Sequence, residues 1–258
     1  MDPALRKAIR EASIVSSLGR FCEETGLGDH DLGSALVEAF CALGLVGRAS
    51  STRGTYRSVL RSLDGNPDRS LSLSYPGAPA PAPYSLAERK ELVSMACSQP
   101  REWRRHSALA LIALGIGAGL RTGEIATVLC EDVTLSDPVT VALASRVVPF
   151  SPPFDTVVAE LVSGRDGYLF HPGPCRRDYK NFVNDFCAQL SRDPGSPRLE
   201  VLRCRSSFIC DHLALGTPLR RLTEMAGIDE VESLRRHGRH VTGAPVTNAG
   251  MRRLAETR

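Results

Sequence analysis

The fold is decided by residues 108–135, which read ALALIALGIGAGLRTGEIATVLCEDVTL, and by residues 199–228, which read LEVLRCRSSFICDHLALGTPLRRLTEMAGI. In the first stretch an apolar run ends in glycines and leads to Arg121 at a predicted helix start, with Glu124 three residues on. In the second stretch Arg205 begins a predicted helix, and a further helix closes at Gly227. An arginine beside the amino end of a helix is suited to binding phosphate.

Each stretch also has a plainer interpretation. Arg121 can pair with Glu124 or Glu131 and only fix the turn. The second stretch can be an ordinary helix-turn-helix whose arginines are solvated.

The rest of the chain divides at a proline-rich segment. Residues 1–65 show helical spacing of apolar side chains and predict a small helical domain. Residues 66–84 contain five prolines and predict an extended linker. Residues 85–241 predict a domain of helices with one hairpin, and residues 242–258 a C-terminal tail. The predicted fold class is therefore mainly α with a small β-sheet.

Cysteine and hydropathy patterns exclude several classes of protein. None of the eight cysteines lies in a CxxC pair, so we expect buried thiols, no metal site and no cofactor. No apolar run approaches the roughly 20 residues of a membrane span. The charged N-terminus does not resemble a signal peptide. We expect a cytoplasmic protein without membrane contact.

Positive charge is concentrated at the carboxyl end of the chain. Residues 171–258 carry fifteen basic and ten acidic side chains, whereas the preceding parts are neutral or slightly acidic. Of the 32 basic residues, 29 are arginine. A GC-rich genome explains such a bias, but arginine also binds phosphate through two parallel hydrogen bonds.

Together the two stretches resemble the catalytic domain of the tyrosine recombinases, or phage integrases. Residues 119–124, GLRTGE, with Leu129 and Asp132, are similar to the family's TGLRxxE…L…D box. Residues 202–228 are similar to its HxLRHTFATHLLxxG…IxxLLGH box, and residues 146–149, RVVP, to its RxVPL strand. The resemblance covers roughly residues 84–241. It implies that the helical N-terminal domain corresponds to the family's core-binding domain.

The resemblance assigns phosphate binding to Arg121 and Arg205, but the other active-site positions differ. In the family a lysine and two histidine-like groups move protons, and a tyrosine attacks. Here the two histidine positions hold Leu202 and Ile228, residues 139–146 contain no lysine, and no tyrosine follows Arg205. His237 lies nearest the position of the nucleophile.

These differences favour a protein that binds double-stranded DNA without cutting it, associated with the nucleoid when bound. Each lost proton-transfer group costs roughly 10²–10⁴-fold in rate, while arginine still binds phosphate. The residues predicted to contact DNA are Arg121, Arg146, Arg176, Arg177, Arg203, Arg205, Arg220, Arg235, Arg236 and Arg239.

Two alternatives remain open. One is an active recombinase in which His237 or His240 replaces the tyrosine as nucleophile. The other is a protein-interaction module that pairs with itself or with an active recombinase through the tail. The neutral N-terminal domain favours the second alternative, although Arg53, Arg57 and Arg61 are spaced to share one helix face.

Overall fold

The computed structural model describes residues 3–27, 33–64, 80–173, 175, 177, 179, 181–229 and 231–241. The chain divides into two units, Met1–Pro79 and Ala80–Arg258. Helices form most of both, and the second also contains an antiparallel sheet. The predicted class, mainly α with a small β-sheet, is confirmed. Among the described residues, no helix combines the length and apolar character needed to cross a membrane.

The first unit is a helical domain with its own core. Its elements are α1 (Pro3–Thr25), α2 (Ser34–Ala39), a π-helical turn (Phe40–Gly44) that continues α2, and α3 (Ser50–Asp64). Gly26 ends α1 with a positive φ of 68°, which glycine adopts at no steric cost. The buried core includes Ile14, Leu18, Phe21, Val37, Phe40 and Leu60.

An internal ion pair uses the arginines predicted to share a face of α3. The buried carboxylate of Glu38 accepts hydrogen bonds from Arg61 at 2.7 Å and Arg57 at 3.5 Å. A carboxylate in an apolar core needs such partners to remain ionised. Arg57 and Arg61 therefore stabilise the first unit.

The second unit is larger and follows the chain order expected from the sequence. Its helices are α4 (Leu86–Cys97), α5 (Glu102–Ile112), α6 (Thr122–Thr127), α7 (Phe154–Val162), α8 (Phe182–Ala188), α9 (Val201–Ala214), α10 (Leu219–Ala226) and α11 (Glu232–Gly238). Its strands are β1 (Val133–Thr134), β2 (Thr140–Leu143) and β3 (Arg146–Pro149), in the order β1-β2-β3.

The apolar helix α5 lies at the centre of this unit. It packs against α4 and α7, and the π-helical turn that follows it, Ala113–Gly117, packs against α9. A Cβ on Gly115 would lie 2.7 Å from Cβ of Cys204 on α9. A glycine is therefore required where the two helices cross.

The strands β2 and β3 confirm the predicted hairpin, with Thr140 opposite Pro149 and Leu143 opposite Arg146. One detail differs from expectation. The helix α9 begins at Val201 rather than at Arg205, so Arg205 lies one turn inside the helix. The strand β1 is only two residues long.

The linker and tail predictions fall mainly outside the described residues. Residues 66–79 and 242–258 are not described. Residues 80–84, which were predicted to lie in the linker, belong to the second unit. Both ends of this segment are buried, at Ala80 and Tyr84.

Candidate nucleic-acid interface

Arg121 stands at the amino end of α6 with an exposed side chain. Its backbone amide donates to Oε2 of Glu124 at 2.7 Å, so this carboxylate satisfies one of the helix's free amides. Among the residues that the structure describes, the guanidinium of Arg121 makes no hydrogen bond or ion pair. It is free to bind an anion.

Glu124 also holds Arg146 of the hairpin. The Arg146 guanidinium donates to both Glu124 oxygens, at 2.6 and 3.0 Å, and its Nε donates to the carbonyl of Met225 at 2.8 Å. Burial alone would raise the pKa of Glu124, but hydrogen bonds from Arg146 and the Arg121 amide hold it below its usual value. Arg146 therefore joins α6, β3 and α10.

Arg205 projects from α9 between two backbone segments. It donates to the carbonyls of Gly119 and Ala226. Burial, followed by the neighbouring guanidinium of Arg121, lowers its pKa to about 10, with Arg146 and Arg236 acting in the same direction. Four guanidinium groups thus share one neighbourhood, which we call the arginine cluster: Arg121, Arg146, Arg205 and Arg236.

Two glycines let the backbone approach neighbouring side chains closely at this site. A Cβ on Gly119, whose φ is +63°, would meet the ring of Phe208 at 2.3 Å. A Cβ on Gly227, whose φ is +60°, would lie 2.6 Å from Nη1 of Arg146. Glycine is needed at both positions for the conformation and for the space.

Several arginines predicted to contact DNA are engaged within the protein. Arg177 donates to the carbonyls of Ala126, Phe170 and His171, and its guanidinium lies 3.6 Å from the ring centre of Tyr168. Its guanidinium is thereby committed to holding the loop after α7.

Arg203 donates to Glu88 at 2.8 Å and to the carbonyl of Ala82 at 3.1 Å. Arg239 donates to the carbonyl of Ala80 at 2.9 Å. No local sequence pattern indicates these partners, because they lie about 115 to 160 positions away along the chain.

The other arginines that were predicted to contact DNA are exposed or lie outside the described residues. Arg220, Arg235 and Arg236 are exposed. Arg220 lies 3.4 Å from Glu224, one turn along α10, a pair that contributes little in water. Arg176 lies outside the described residues.

The comparisons with known proteins concern the fold. No protein-family model and no curated protein matches the sequence. Among solved structures, the Tn1549 transposon integrase in complex with transposon right end DNA is 14% identical, with a TM-score of 0.55, covering 94% of this chain and 98% of that one. The XerH site-specific recombinase bound to palindromic difH substrate is 15% identical, with a TM-score of 0.52, covering 86% and 69%.

The chain has a tyrosine-recombinase fold. This likeness covers both the helical N-terminal unit and the second unit, since nearly the whole chain aligns with the integrase. The fold predicted from the two boxes is therefore confirmed, and the roles of individual residues stay predictions.

Apolar residues occupy the two positions that the family resemblance assigned to histidine-like proton-transfer groups. Leu202, one turn before Arg205 on α9, is 65% exposed. Ile228 follows Gly227 and packs partly buried against the core. The turn between β2 and β3 consists of Ala144 and Ser145. None of these side chains titrates near neutral pH.

His237 lies on α11 and is buried, with 4% exposure. Among described residues its Nδ1 has no hydrogen-bond partner. Burial, then the guanidiniums of Arg236 and Arg205, lowers its pKa to about 4. The imidazole is therefore neutral at physiological pH.

His240, the other predicted nucleophile, is partly buried and lies 3.0 Å from the carbonyl of Ala80 through Nε2. This contact ties it to the start of the second unit.

Proposed function

We propose that this protein binds double-stranded DNA through the arginine cluster and does not cut it. The observation that carries the proposal is that Arg205 bonds to the carbonyl of Gly119, two residues before the exposed Arg121. Two guanidinium groups that no described carboxylate pairs with therefore lie at one turn of the chain. A phosphate oxyanion placed there relieves the mutual repulsion of these groups.

Two further points support DNA as the ligand. Arg121 is exposed and its guanidinium makes no ion pair in the described part of the chain, so it can reach a phosphate without breaking an internal bond. The solved structures with the same fold include an integrase and a recombinase in complex with DNA. Because this chain has the same fold, we infer that the phosphate it binds belongs to a DNA duplex.

The lack of cleavage rests on the side chains around Arg205. Leu202 and Ile228 cannot transfer protons to a leaving oxygen. His237 is buried, so in this conformation it cannot reach a phosphate on a bound duplex.

A second function, strand cleavage by His237, is favoured by one observation. The imidazole is neutral and lies within electrostatic reach of Arg205 and Arg236, and neutral imidazole is the nucleophilic form. Attack by one nitrogen of the neutral imidazole would form a P–N bond and break the P–O5′ bond. The N–H proton of the imidazole would be lost to water, and water would in turn protonate the departing 5′ oxygen. This function requires α11 to move.

The test uses a labelled duplex of about 30 base pairs, which spans roughly three turns, resolved on native and denaturing gels. The wild-type protein is expected to retard the duplex without a covalent adduct. Arg121→Ala is expected to weaken binding about tenfold, the cost of one charge-assisted contact. The control Arg192→Ala removes one exposed positive charge elsewhere and should change affinity less than about threefold.

The outcomes separate the candidate functions. An adduct that survives denaturation and is lost in His237→Gln establishes cleavage. If the native gel shows no retarded duplex and the denaturing gel shows no adduct, both functions are contradicted and the protein-interaction alternative remains.

A further inference from the structure

The residues Ala80–Tyr84, which read APAPY and which we call the strap, are fastened along their whole length by side chains of the second unit. Each of their five carbonyls accepts a side-chain hydrogen bond. The donors are Arg239 to Ala80, Ser206 to Pro81, Arg203 to Ala82 and Pro83, and Arg89 to Tyr84. Nε2 of His240 also lies 3.0 Å from the carbonyl of Ala80. Proline has no N–H, so the carbonyls are the main groups by which such a segment can be held.

Tyr84 fixes the point at which α9 begins. Its amide donates to Oγ of Ser207 at 2.8 Å, and its buried hydroxyl accepts from the amide of Glu200 at 2.9 Å. Glu200 is the residue immediately before α9 and has no capping side chain of its own. The tyrosine hydroxyl therefore supplies the cap that the sequence of α9 lacks.

Arg203 joins the strap to two helices. From its place on α9 it donates to the carbonyl of Ala82, pairs with Glu88 of α4 at 2.8 Å, and lies 4.0 Å from the ring centre of Tyr84. Its side chain is largely buried by these contacts. Arg203 stands two residues before Arg205 on the same helix.

The strap also reaches the segment that follows α11. Arg239 and His240 both contact the carbonyl of Ala80, at 2.9 and 3.0 Å. The helix just before them carries Arg236 and His237. The strap thus contacts α9, which bears Arg205, and the residues that directly follow α11, which bears Arg236.

We propose that the strap positions the arginine cluster, with Arg203 as its principal positioning residue, so that the seating of the strap controls how tightly the cluster binds phosphate. This inference rests on the proposed DNA binding. The strap is the part of the second unit that directly follows residues 65–79 and, before them, the first unit.

Thermodynamic linkage makes the proposal testable in both directions. If a seated strap favours phosphate binding, then bound DNA must favour the seated strap by the same factor. Hydrogen exchange of the Tyr84 amide, which donates to Ser207, measures strap seating in the full-length protein with and without the 30-base-pair duplex. Gel retardation measures DNA affinity independently.

The variant Arg203→Met keeps an apolar side chain over Tyr84 and removes the hydrogen bonds to Ala82, Pro83 and Glu88. We expect faster exchange of the Tyr84 amide, which is bonded to Ser207, and also of amides in α11, which no described hydrogen bond of Arg203 reaches. DNA affinity should fall about tenfold, the effect of losing one or two buried charged hydrogen bonds. Arg192→Ala, with the same change in charge, should leave both measurements within about twofold.

A second variant with a smaller change keeps the test valid if Arg203→Met fails to fold. Ser206→Ala deletes one hydroxyl, which donates to the carbonyl of Pro81 at 2.6 Å. It should weaken DNA binding about threefold to fivefold, in proportion to one neutral hydrogen bond.

Three results decide the matter. Parallel losses of strap protection, α11 protection and DNA affinity support the proposal, as does slower strap exchange when DNA binds. If both variants bind DNA as tightly as the wild-type protein does, the proposal is overturned. A wild-type protein that never retards DNA refutes the proposed function instead, and the exchange of α11 in Arg203→Met then shows separately whether the strap orders that helix.

Discussion

At the scale of single residues, the interface depends on which guanidinium groups are already committed. Arg146 gives its guanidinium to both oxygens of Glu124, and Arg177 gives its own to backbone carbonyls. Arg205 is bound by two carbonyls but by no carboxylate among the described residues. Within the described part of the chain the Arg121 guanidinium makes no bond of this kind, so we expect an incoming phosphate to gain most at this residue.

The buried imidazole of His237 should make stability depend on pH. Its folded pKa of about 4 lies below the ordinary value of 6.5, so between these values the unfolded chain binds a proton that the folded protein does not. The free energy of unfolding is therefore expected to fall as the pH is lowered from about 6.5 to about 4, by up to about 3 kcal/mol.

Urea unfolding at a series of pH values measures this effect, with His237→Gln as the comparison. The variant should show a shallower decline. It should not be flat, because burial also lowers the pKa of His106, His171 and His212. Parallel curves for wild type and variant would contradict the buried, neutral state of His237.

At the scale of elements, the arginine cluster exists because three chain segments approach one another closely. The turn before α6 supplies the carbonyl of Gly119, and the end of α10 supplies the carbonyl of Ala226. The side chain of Arg205 on α9 bridges them. The closeness of these segments depends on glycine at positions where any side chain would collide.

Gly119→Ala tests this requirement directly. The new Cβ would collide with the Phe208 ring, and alanine disfavours the positive φ. The variant should lose about 2–4 kcal/mol of unfolding free energy, combining overpacking with backbone strain. Chemical denaturation followed by circular dichroism measures it.

Gly123→Ala is the matched control. Gly123 lies inside α6, and an alanine Cβ at this position would have nothing within 4 Å. Alanine there should be neutral or should stabilise the protein by up to about 1 kcal/mol. Equal losses in the two variants would contradict the close contact between the Gly119 turn and α9.

At the scale of the whole molecule, the sequence predicted the helices and the hairpin, because periodicity, glycines and two local motifs encode them. The joint role of Arg121 and Arg205 in phosphate binding was implied by the family resemblance and stays a prediction. It did not predict the partners of Arg203 or the internal use of Arg177. These bonds join residues that are distant along the chain, and nothing local distinguishes a committed arginine from a solvated one. The burial of His237 was missed for the same reason, since α11 packs on α9.

The arginines that remain exposed or uncompensated set the expected salt dependence of DNA binding. Four of the predicted contacts, Arg146, Arg177, Arg203 and Arg239, are held by partners within the protein, and Arg176 lies outside the described residues. The predicted phosphate contacts that remain are Arg121, Arg205, Arg220, Arg235 and Arg236. Each neutralised phosphate contributes a slope of about −0.9 to a plot of log affinity against log salt concentration. Three to five contacts therefore predict a slope of about −3 to −5.

Fluorescence anisotropy with a labelled duplex, between about 50 and 200 mM salt, measures this slope. Arg121→Ala should reduce its magnitude by about one. Arg203→Met should weaken binding with the slope nearly unchanged, because Arg203 is committed to Glu88 and the strap and contacts no phosphate. A slope near zero in the wild type would mean that binding, if present, does not follow the phosphate backbone, and would favour a protein partner instead.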